Sequence, residues 1–360
     1  MAKKLRIGII GTGMMAASHA ASFSRIPDVQ VVACCDVREE VAKEFSLEHN
    51  IPSVYVTYEA LLAHPELDAV TIVTPDRFHR EIAIASARAG KHILCEKPLS
   101  ISVDFADEMK IEAEKAGVVA MVNLSYRKSS ALYAAERLIS AGKLGEIRHV
   151  RAHYLQSWLV SNAWGDWQTG PQWLWRLSEA HGSLGVLGDV GVHLLDFATY
   201  PVGRLLDIQC TLQTFEKNKG NRVGEYKLDA NDSASMTGTF ENGAMGVFQT
   251  TRWSTGNHNT IELFVHGSHG ALSINLDTSF AELNVCLGAD VHKARWKTRT
   301  LAPGKSVYEM FVQSIRRAGK AGASLSKGLP DFERGVKVQA MLEAAFKSSS
   351  SGQREPILYS

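Results

Sequence analysis

Asp189 and His193 stand four residues apart, so on a helix their side chains share one face and can address the same ligand. A histidine near its ordinary pKa accepts a proton at physiological pH, and a carboxylate one turn away can bind a neighbouring hydroxyl or stabilise the imidazolium. This chemistry suits oxidation of an alcohol, whose hydroxyl proton must go to a base as hydride leaves the carbinol carbon. Lys97 is the third reactive candidate, in the run Glu96-Lys97-Pro98. A fixed ammonium there would stabilise a developing alkoxide and lower the pKa of a nearby histidine. Each residue also has a plain structural reading: a first-turn helix acid, a core histidine and a solvated lysine.

The elements that would position these groups begin at residues 5–20, LRIGIIGTGMMAASHA. Ile7, Ile9 and Ile10 read as a buried parallel strand, and Gly11, Gly13 and Ala16 follow as G-x-G-x-x-A. Gly11 allows the tight turn, Gly13 lets backbone approach a pyrophosphate, and Met14 and Met15 open the helix whose N-terminus would hold the phosphates. A second apolar run, residues 29–35, ends in Asp36, where a dinucleotide-binding Rossmann unit places the carboxylate that accepts from the ribose hydroxyls. That acid favours NAD over NADP, while Arg38 two residues on keeps NADP open. A strand over 68–73 ends at Thr74-Pro75, and His79 follows; a strand over 92–95 ends at Glu96-Lys97. Both lie at carboxyl ends of strands, where open α/β sheets bind ligands. Glu96 would pair with Lys97 or orient the ribose, and His79 would touch the cofactor or simply start the next helix.

Strand and helix patterns alternate through residue 125, which predicts parallel βαβ units. From 148 onward the pattern turns antiparallel, with a hairpin signal at Glu241-Asn242-Gly243 and a last helix over 332–346 followed by the serines 348–351. The expected fold is therefore α/β: a Rossmann parallel-sheet domain over 1–125, then an α+β domain over 126–360 with a large open, mostly antiparallel sheet. One face of such a sheet needs cover, and a homodimer or homotetramer formed through it is expected. The 360 residues carry a net charge of +1 with 45% apolar residues, which argues against a nucleic-acid surface or a disordered tail, and no apolar run approaches the length of a membrane span. Five cysteines, an odd number without metal-ligand spacing, suit a reducing compartment, so no metal and a cytoplasmic location are expected. The basic start at 1–4 runs into the glycine turn rather than a signal-peptide core.

Trp158, Trp164, Trp167, Trp173 and Trp175 cluster ahead of the Asp189 segment. Trp164 and Trp175 are the candidates for stacking on a sugar or cyclitol ring. Tyr126 and Arg127 lie where the first domain runs into the second and are expected to face substrate. Arg176 among the tryptophans would hold an anionic group or face solvent.

These motifs occur together and in order: the glycine turn with Asp36, Thr74-Pro75 with His79, 89–92 leading to Glu96-Lys97-Pro98, Gly145-Glu146-Ile147, Asp189-x-Gly191-x-His193, and Glu241-Asn242-Gly243. The combination resembles the Gfo/Idh/MocA family, named for glucose-fructose oxidoreductase, inositol dehydrogenase and a rhizopine catabolism protein. The resemblance implies that Lys97, Asp189 and His193 are catalytic, with His193 the proton acceptor. It implies cofactor contacts at Thr74, Pro75, His79 and Glu96, and a carbohydrate or cyclitol substrate. Gly182-Ser183-Leu184-Gly185 departs from the family's run of glycines. Two further readings stand beside the dehydrogenase: an NAD-dependent glycosidase working by oxidation, elimination, water addition and re-reduction, acting on an anionic sugar such as a sulfoquinovoside, and a non-catalytic cofactor sensor.

Overall fold

The computed structural model describes residues 4–318 and 328–359, which divide into two compact units: residues up to 125 with 305–339, and 126–304 with 340–359. In the first, β1 (Leu5–Ile10), α1 (Met14–Ser24), β2 (Val29–Cys35), α2 (Glu39–His49), β3 (Ser53–Tyr55), α3 (Tyr58–Leu62), β4 (Ala69–Ile72), α4 (His79–Arg88), β5 (His92–Cys95), α5 (Val103–Lys115) and β6 (Ala120–Val122) follow one another. The sheet order is β3-β2-β1-β4-β5-β6 with every pairing parallel. This is the Rossmann order, which switches direction between β1 and β4. Ile7, Ile9, Ala69, Val70, Ile72, Ile93 and Leu94 are wholly buried, because a parallel sheet covered on both faces takes unbroken apolar strands.

The second unit contains α6 (Ser130–Ser140), β7 (Ile147–Gln156), α7 (Pro171–Leu174), α8 (Val192–Thr199), β8 (Leu205–Gln213), β9 (Arg222–Val223), β10 (Tyr226–Lys227), β11 (Ser233–Phe240), β12 (Met245–Thr251), β13 (Asn259–Gly267), β14 (Gly270–Asn275), β15 (Glu282–Leu287) and β16 (Lys297–Thr300). After α9 (Val307–Ala318) and α10 (Phe332–Ser351), β17 (Glu355–Pro356) returns to this sheet, whose order is β16-β15-β14-β13-β7-β12-β11-β8-β17. Among the described residues of this sheet only the β7–β12 pairing is parallel. Strand alternation separates the two faces: Val150, Ala152, Tyr154 and Gln156 of β7 point inward under α8, while His149, Arg151 and His153 point outward. On the outer face Arg151 stacks on Phe264 at 4.2 Å, His149 pairs with His266 across the strands, and a depression of about 700 Å³ opens beside Trp296. The β11–β12 turn follows its Asn-Gly signal: Gly243 has φ +82 and Asn242 Oδ1 accepts from Ala244 N at 3.1 Å.

Two expectations need correction. Residues 305–339 were expected in the second domain, yet they belong to the first unit. Val307, Phe311, Val312 and Ile315 form an apolar stripe on α9, and it closes the core around Ile7, Phe23, Leu94 and Met121. The serines 348–351 were expected to follow the last helix, yet they form its end. Ser350 Oγ donates to Phe346 O one turn earlier, and Ser348 Oγ accepts from Cys210 N of β8, so one hydroxyl bonds back to its own helix and the other satisfies a strand N–H. No described helix is long and apolar enough to cross a membrane.

Candidate functional site

The cofactor candidates of the first unit converge at the carboxyl ends of β1, β2, β4 and β5. Gly11 has φ +90, and a Cβ there would come within 2.8 Å of the Val73 carbonyl and 2.9 Å of Thr74 N, so only glycine fits between β1 and β4. A Cβ on Gly13 would meet nothing within 4 Å. Ala16 N donates back to Gly13 O at 2.9 Å, no acid occupies the first turn of α1, and Met14 and Met15 are exposed, so the first N–H groups of the helix face an approach open to an anion.

Asp36 Oδ2 accepts from Thr12 N and Thr12 Oγ1 at 3.0 and 3.1 Å, and Oδ1 accepts from Arg38 N at 3.0 Å. Burial raises its pKa, but these hydrogen bonds and the Arg38 charge outweigh it, so Asp36 is held below the usual carboxylate range. The Arg38 side chain is 65% exposed, with Nε 3.4 Å from Asp36 Oδ1. Thr74 Oγ1 is buried and has no hydrogen-bond partner among the described residues. A glycine cradle, an open helix end, an ionised acid at the end of β2 and a waiting hydroxyl together fit a dinucleotide.

His79 and Glu96 are more deeply engaged than a surface contact requires. His79 is 1% exposed, its Nε2 lies 2.9 Å from Thr74 O, and its Nδ1 lies 3.0 Å from Pro98 O. It ties the end of β4, at Thr74-Pro75, to the turn that carries Lys97. Glu96 Oε1 faces His19 Nε2 at 2.8 Å and accepts from Asn123 Nδ2 at 2.7 Å, while Oε2 accepts from Lys97 N at 3.1 Å. His19 Nδ1 pairs with the Thr71 hydroxyl at 2.7 Å, which closes a buried network. Burial raises the Glu96 pKa, yet the hydrogen bond and charge of His19, the Lys97 charge and Asn123 carry it down to about 2. The half-buried Lys97 therefore stands on a fixed anionic anchor.

In the second unit the Asp189 segment is built by an unusual turn. Gly185 has φ +66, and a Cβ there would collide with Asn231, whose Oδ1 accepts from Leu187 N and whose Nδ2 donates to Leu184 O. Leu187–Gly191 then forms a π-helical turn that runs into α8. Such wide turns recur at functional sites because they re-aim side chains within an otherwise regular helix. Asp189 Oδ2 accepts from Arg252 Nη2 at 2.9 Å, and Arg176 Nε lies 3.6 Å from the same oxygen. His193, 8% exposed, meets the Tyr126 ring edge-on at 4.9 Å. The Tyr126 hydroxyl pairs with Tyr154 Oη at 2.6 Å and accepts from Asn259 Nδ2 at 3.1 Å. Burial, with Tyr126 and Asp189 nearby, raises the Tyr154 pKa well above its ordinary value, so the phenol stays neutral.

Arg127, expected to face substrate, is instead wholly buried. Its Nε and Nη2 donate to Asp196 at 2.6 and 2.8 Å, and its guanidinium lies 3.6 Å from the Tyr200 ring centre. A fork of this geometry neutralises a charge that has left water. Most of the tryptophans form a satellite core: Trp158 and Trp167 are buried with Leu174, Leu177 and Leu228, and Trp164 and Trp173 pack against them. Trp164 Nε1 donates to His258 Nδ1 at 2.7 Å. Trp175 is the most exposed of the five at 37%, and the Arg176 guanidinium stacks on it at 4.6 Å.

Sequence reasoning missed Arg252, Tyr154 and Asn259. Arg252 left a signal: it continues the inward register of Gly246, Phe248 and Thr250, where a charge is out of place. Tyr154 left none, since an inward tyrosine on a strand reads as core.

An oxidoreductase family model described as an NAD-binding Rossmann fold matches residues 5–124, and the GFO/IDH/MocA C-terminal domain model matches residues 132–273. The chain is 28% identical over 316 residues to a levoglucosan dehydrogenase of Pseudarthrobacter phenanthrenivorans, covering 80% of this chain and 77% of that protein. It is 27% identical over 361 residues to a D-glucoside 3-dehydrogenase of Escherichia coli, covering 97% of each. A solved levoglucosan dehydrogenase in complex with NADH and L-sorbose superposes with a TM-score of 0.84 at 27% identity, covering 99% of this chain and 100% of that one. With both halves of its sequence matched in order and the glycine cradle and Asp36 in place, the chain belongs to the Gfo/Idh/MocA family of NAD-binding oxidoreductases.

Proposed function

We propose that the protein is an NAD-dependent dehydrogenase that interconverts a secondary hydroxyl of a sugar or cyclitol with the ketone. The observation that carries this reading is a nearly buried histidine one turn beyond a carboxylate held by two arginines. The backbone at Gly11, Gly13, Met14 and Met15 would hold the pyrophosphate, Asp36 the adenosine ribose, and Thr74 and Pro75 the remainder of the cofactor. When bound, nicotinamide supplies the hydride acceptor. His193 takes the hydroxyl proton as general base, and Lys97, steadied by Glu96, stabilises the oxygen as negative charge develops on it. Asp189 accepts from an adjacent hydroxyl, which makes a vicinal diol the natural substrate class. Trp175 and Tyr126 offer the ring faces a sugar needs. Asp36 favours NAD, and Arg38 beside it makes NADP the comparison to run.

The glycosidase reading is not favoured. The relatives are sugar dehydrogenases, and Arg176, which motivated an anionic substrate, is committed to Asp189 and Trp175. We place the enzyme in the cytoplasm on its five free cysteines, and infer that a second copy covers the outer sheet face, where Met245 and Trp296 stand exposed.

The test is turnover with NAD against a panel of levoglucosan, glucosides and inositols, read by the absorbance of reduced nicotinamide. His193→Ala should lower kcat by about 10²–10⁴-fold while cofactor affinity holds. Failure of every polyol to reduce NAD, or a His193→Ala enzyme with full activity, refutes the reading.

A further inference from the structure

Arg252 has no assigned role, yet it is a wholly buried charge beside the proton-transfer pair. Its Nη2 donates to Asp189 Oδ2 at 2.9 Å, its Nη1 donates to Arg176 O at 3.0 Å, and its guanidinium lies 4.9 Å from the Trp158 ring centre. Its own backbone N donates to Asp232 O at 2.9 Å, and the Asp232 carboxylate is paired with the equally buried Lys217 at 2.7 Å. A guanidinium withdrawn from water is strongly disfavoured unless a partner neutralises it. Asp189 is that partner, although it sits in a turn that leaves it 24% exposed.

We propose that Arg252 is the positioning residue of the proton-transfer pair, fixing the ionised Asp189 carboxylate and thereby setting the pH at which His193 can accept a proton. The proposal rests on the reading of Asp189 and His193 as that pair. Arg252 and Arg176 both bear on one carboxylate, so the trio carries a net positive charge. The other ionisable neighbours are Tyr154 and Tyr126, the buried Arg127–Asp196 pair, whose carboxylate α8 also carries, and the Lys217–Asp232 pair behind Arg252. Tyr154 stays neutral and the two ion pairs are internally balanced, so none offsets a lost guanidinium. Without Arg252 the Asp189 charge would act on His193 with less compensation, and an opposite charge nearby favours the imidazolium. A histidine already protonated cannot serve as the base. Arg252 would thus keep His193 neutral at working pH and hold Asp189 as an acceptor only.

The experiment is a titration of His193 in full-length protein carrying labelled histidine, its C2 proton assigned with His193→Gln. Arg252→Met should raise the pH at which His193 titrates by about one pH unit, the order of one charge removed from a partly screened site. The acid limb of kcat/KM should move by the same amount, with kcat falling more than KM rises. Arg252→Lys, which keeps the charge and loses the fork, should return the titration towards wild type. If Arg252→Met does not fold, Asp189→Asn gives the reverse reading, because two uncompensated guanidiniums should lower the His193 titration. An unchanged His193 titration in the folded variant overturns the proposal, as does a Lys variant indistinguishable from Met. The resonance is read without turnover, so a wild-type enzyme inactive on every polyol would sink the dehydrogenase reading separately from this one.

Discussion

Replacing Glu96 with glutamine tests the anchor beneath Lys97. The carboxyl titrates near 2 in the fold against an ordinary 4.5, because His19, Lys97 and Asn123 overcome the burial that would raise it. A group with its pKa depressed on folding stabilises the native state above the unfolded value, and that contribution disappears as pH falls through the folded value. The separation corresponds to about 3 kcal/mol at neutral pH. Glutamine retains an oxygen for His19 and Asn123 but turns an NH₂ towards the Lys97 N–H. Glu96→Gln should therefore cost about 3 kcal/mol near pH 7, or roughly 6–12 °C in the melting of a unit this size. The gap between wild type and variant should be full at pH 6–7, about half as large near pH 3, and gone below pH 2. Calorimetry and far-UV circular dichroism across that range read it, and carbon NMR titration of the native Glu96 carboxyl gives the same quantity without a variant. A gap that does not change with pH, or a native carboxyl titrating near 4.5, refutes the account of Glu96 as a fixed anion.

Two other predictions follow from buried charge and open surface. Arg127→Met should destabilise by about 3–5 kcal/mol by stranding Asp196, and adding Asp196→Leu should recover much of that loss; a single variant melting within 1 °C of wild type counts against it. Sedimentation equilibrium at micromolar concentration should show a dimer or tetramer, and Phe264→Glu on the outer face of β13 should shift it towards monomer; a wild-type monomer removes the inferred interface.

Much of the first unit was legible because its signals are local. Ile7, Ile9 and Ile10 mark a strand by type, Gly11 marks the turn by a φ other residues avoid, and Asp36 stands at the end of the next apolar run. The Asn242-Gly243 turn was legible for the same reason. The features that escaped depend on partners distant in the chain. The stripe on α9 shows that an apolar face exists without saying which core receives it. Arg127 looks like a binding residue until Asp196 is found beneath it, 69 positions later. The π-helical turn at Leu187–Gly191 has no residue pattern of its own to mark it. Arg252 was readable as an oddity of strand register, but its partner Asp189 lies on another element.

The return of α9 to the Rossmann core has a consequence for how the chain is made and how it can be cut. A ribosome delivers β1 to β6 early, yet Ile7, Phe23 and Leu94 lack their cover until residue 318 has emerged, after all of 126–304. The nucleotide-binding half is therefore closed only after most of the other half has been made, although it is encoded first, and the other half waits in turn for residues 340–359. A truncation at residue 125 would expose an oily surface, and a chimera that exchanges this half must carry two segments of the gene together.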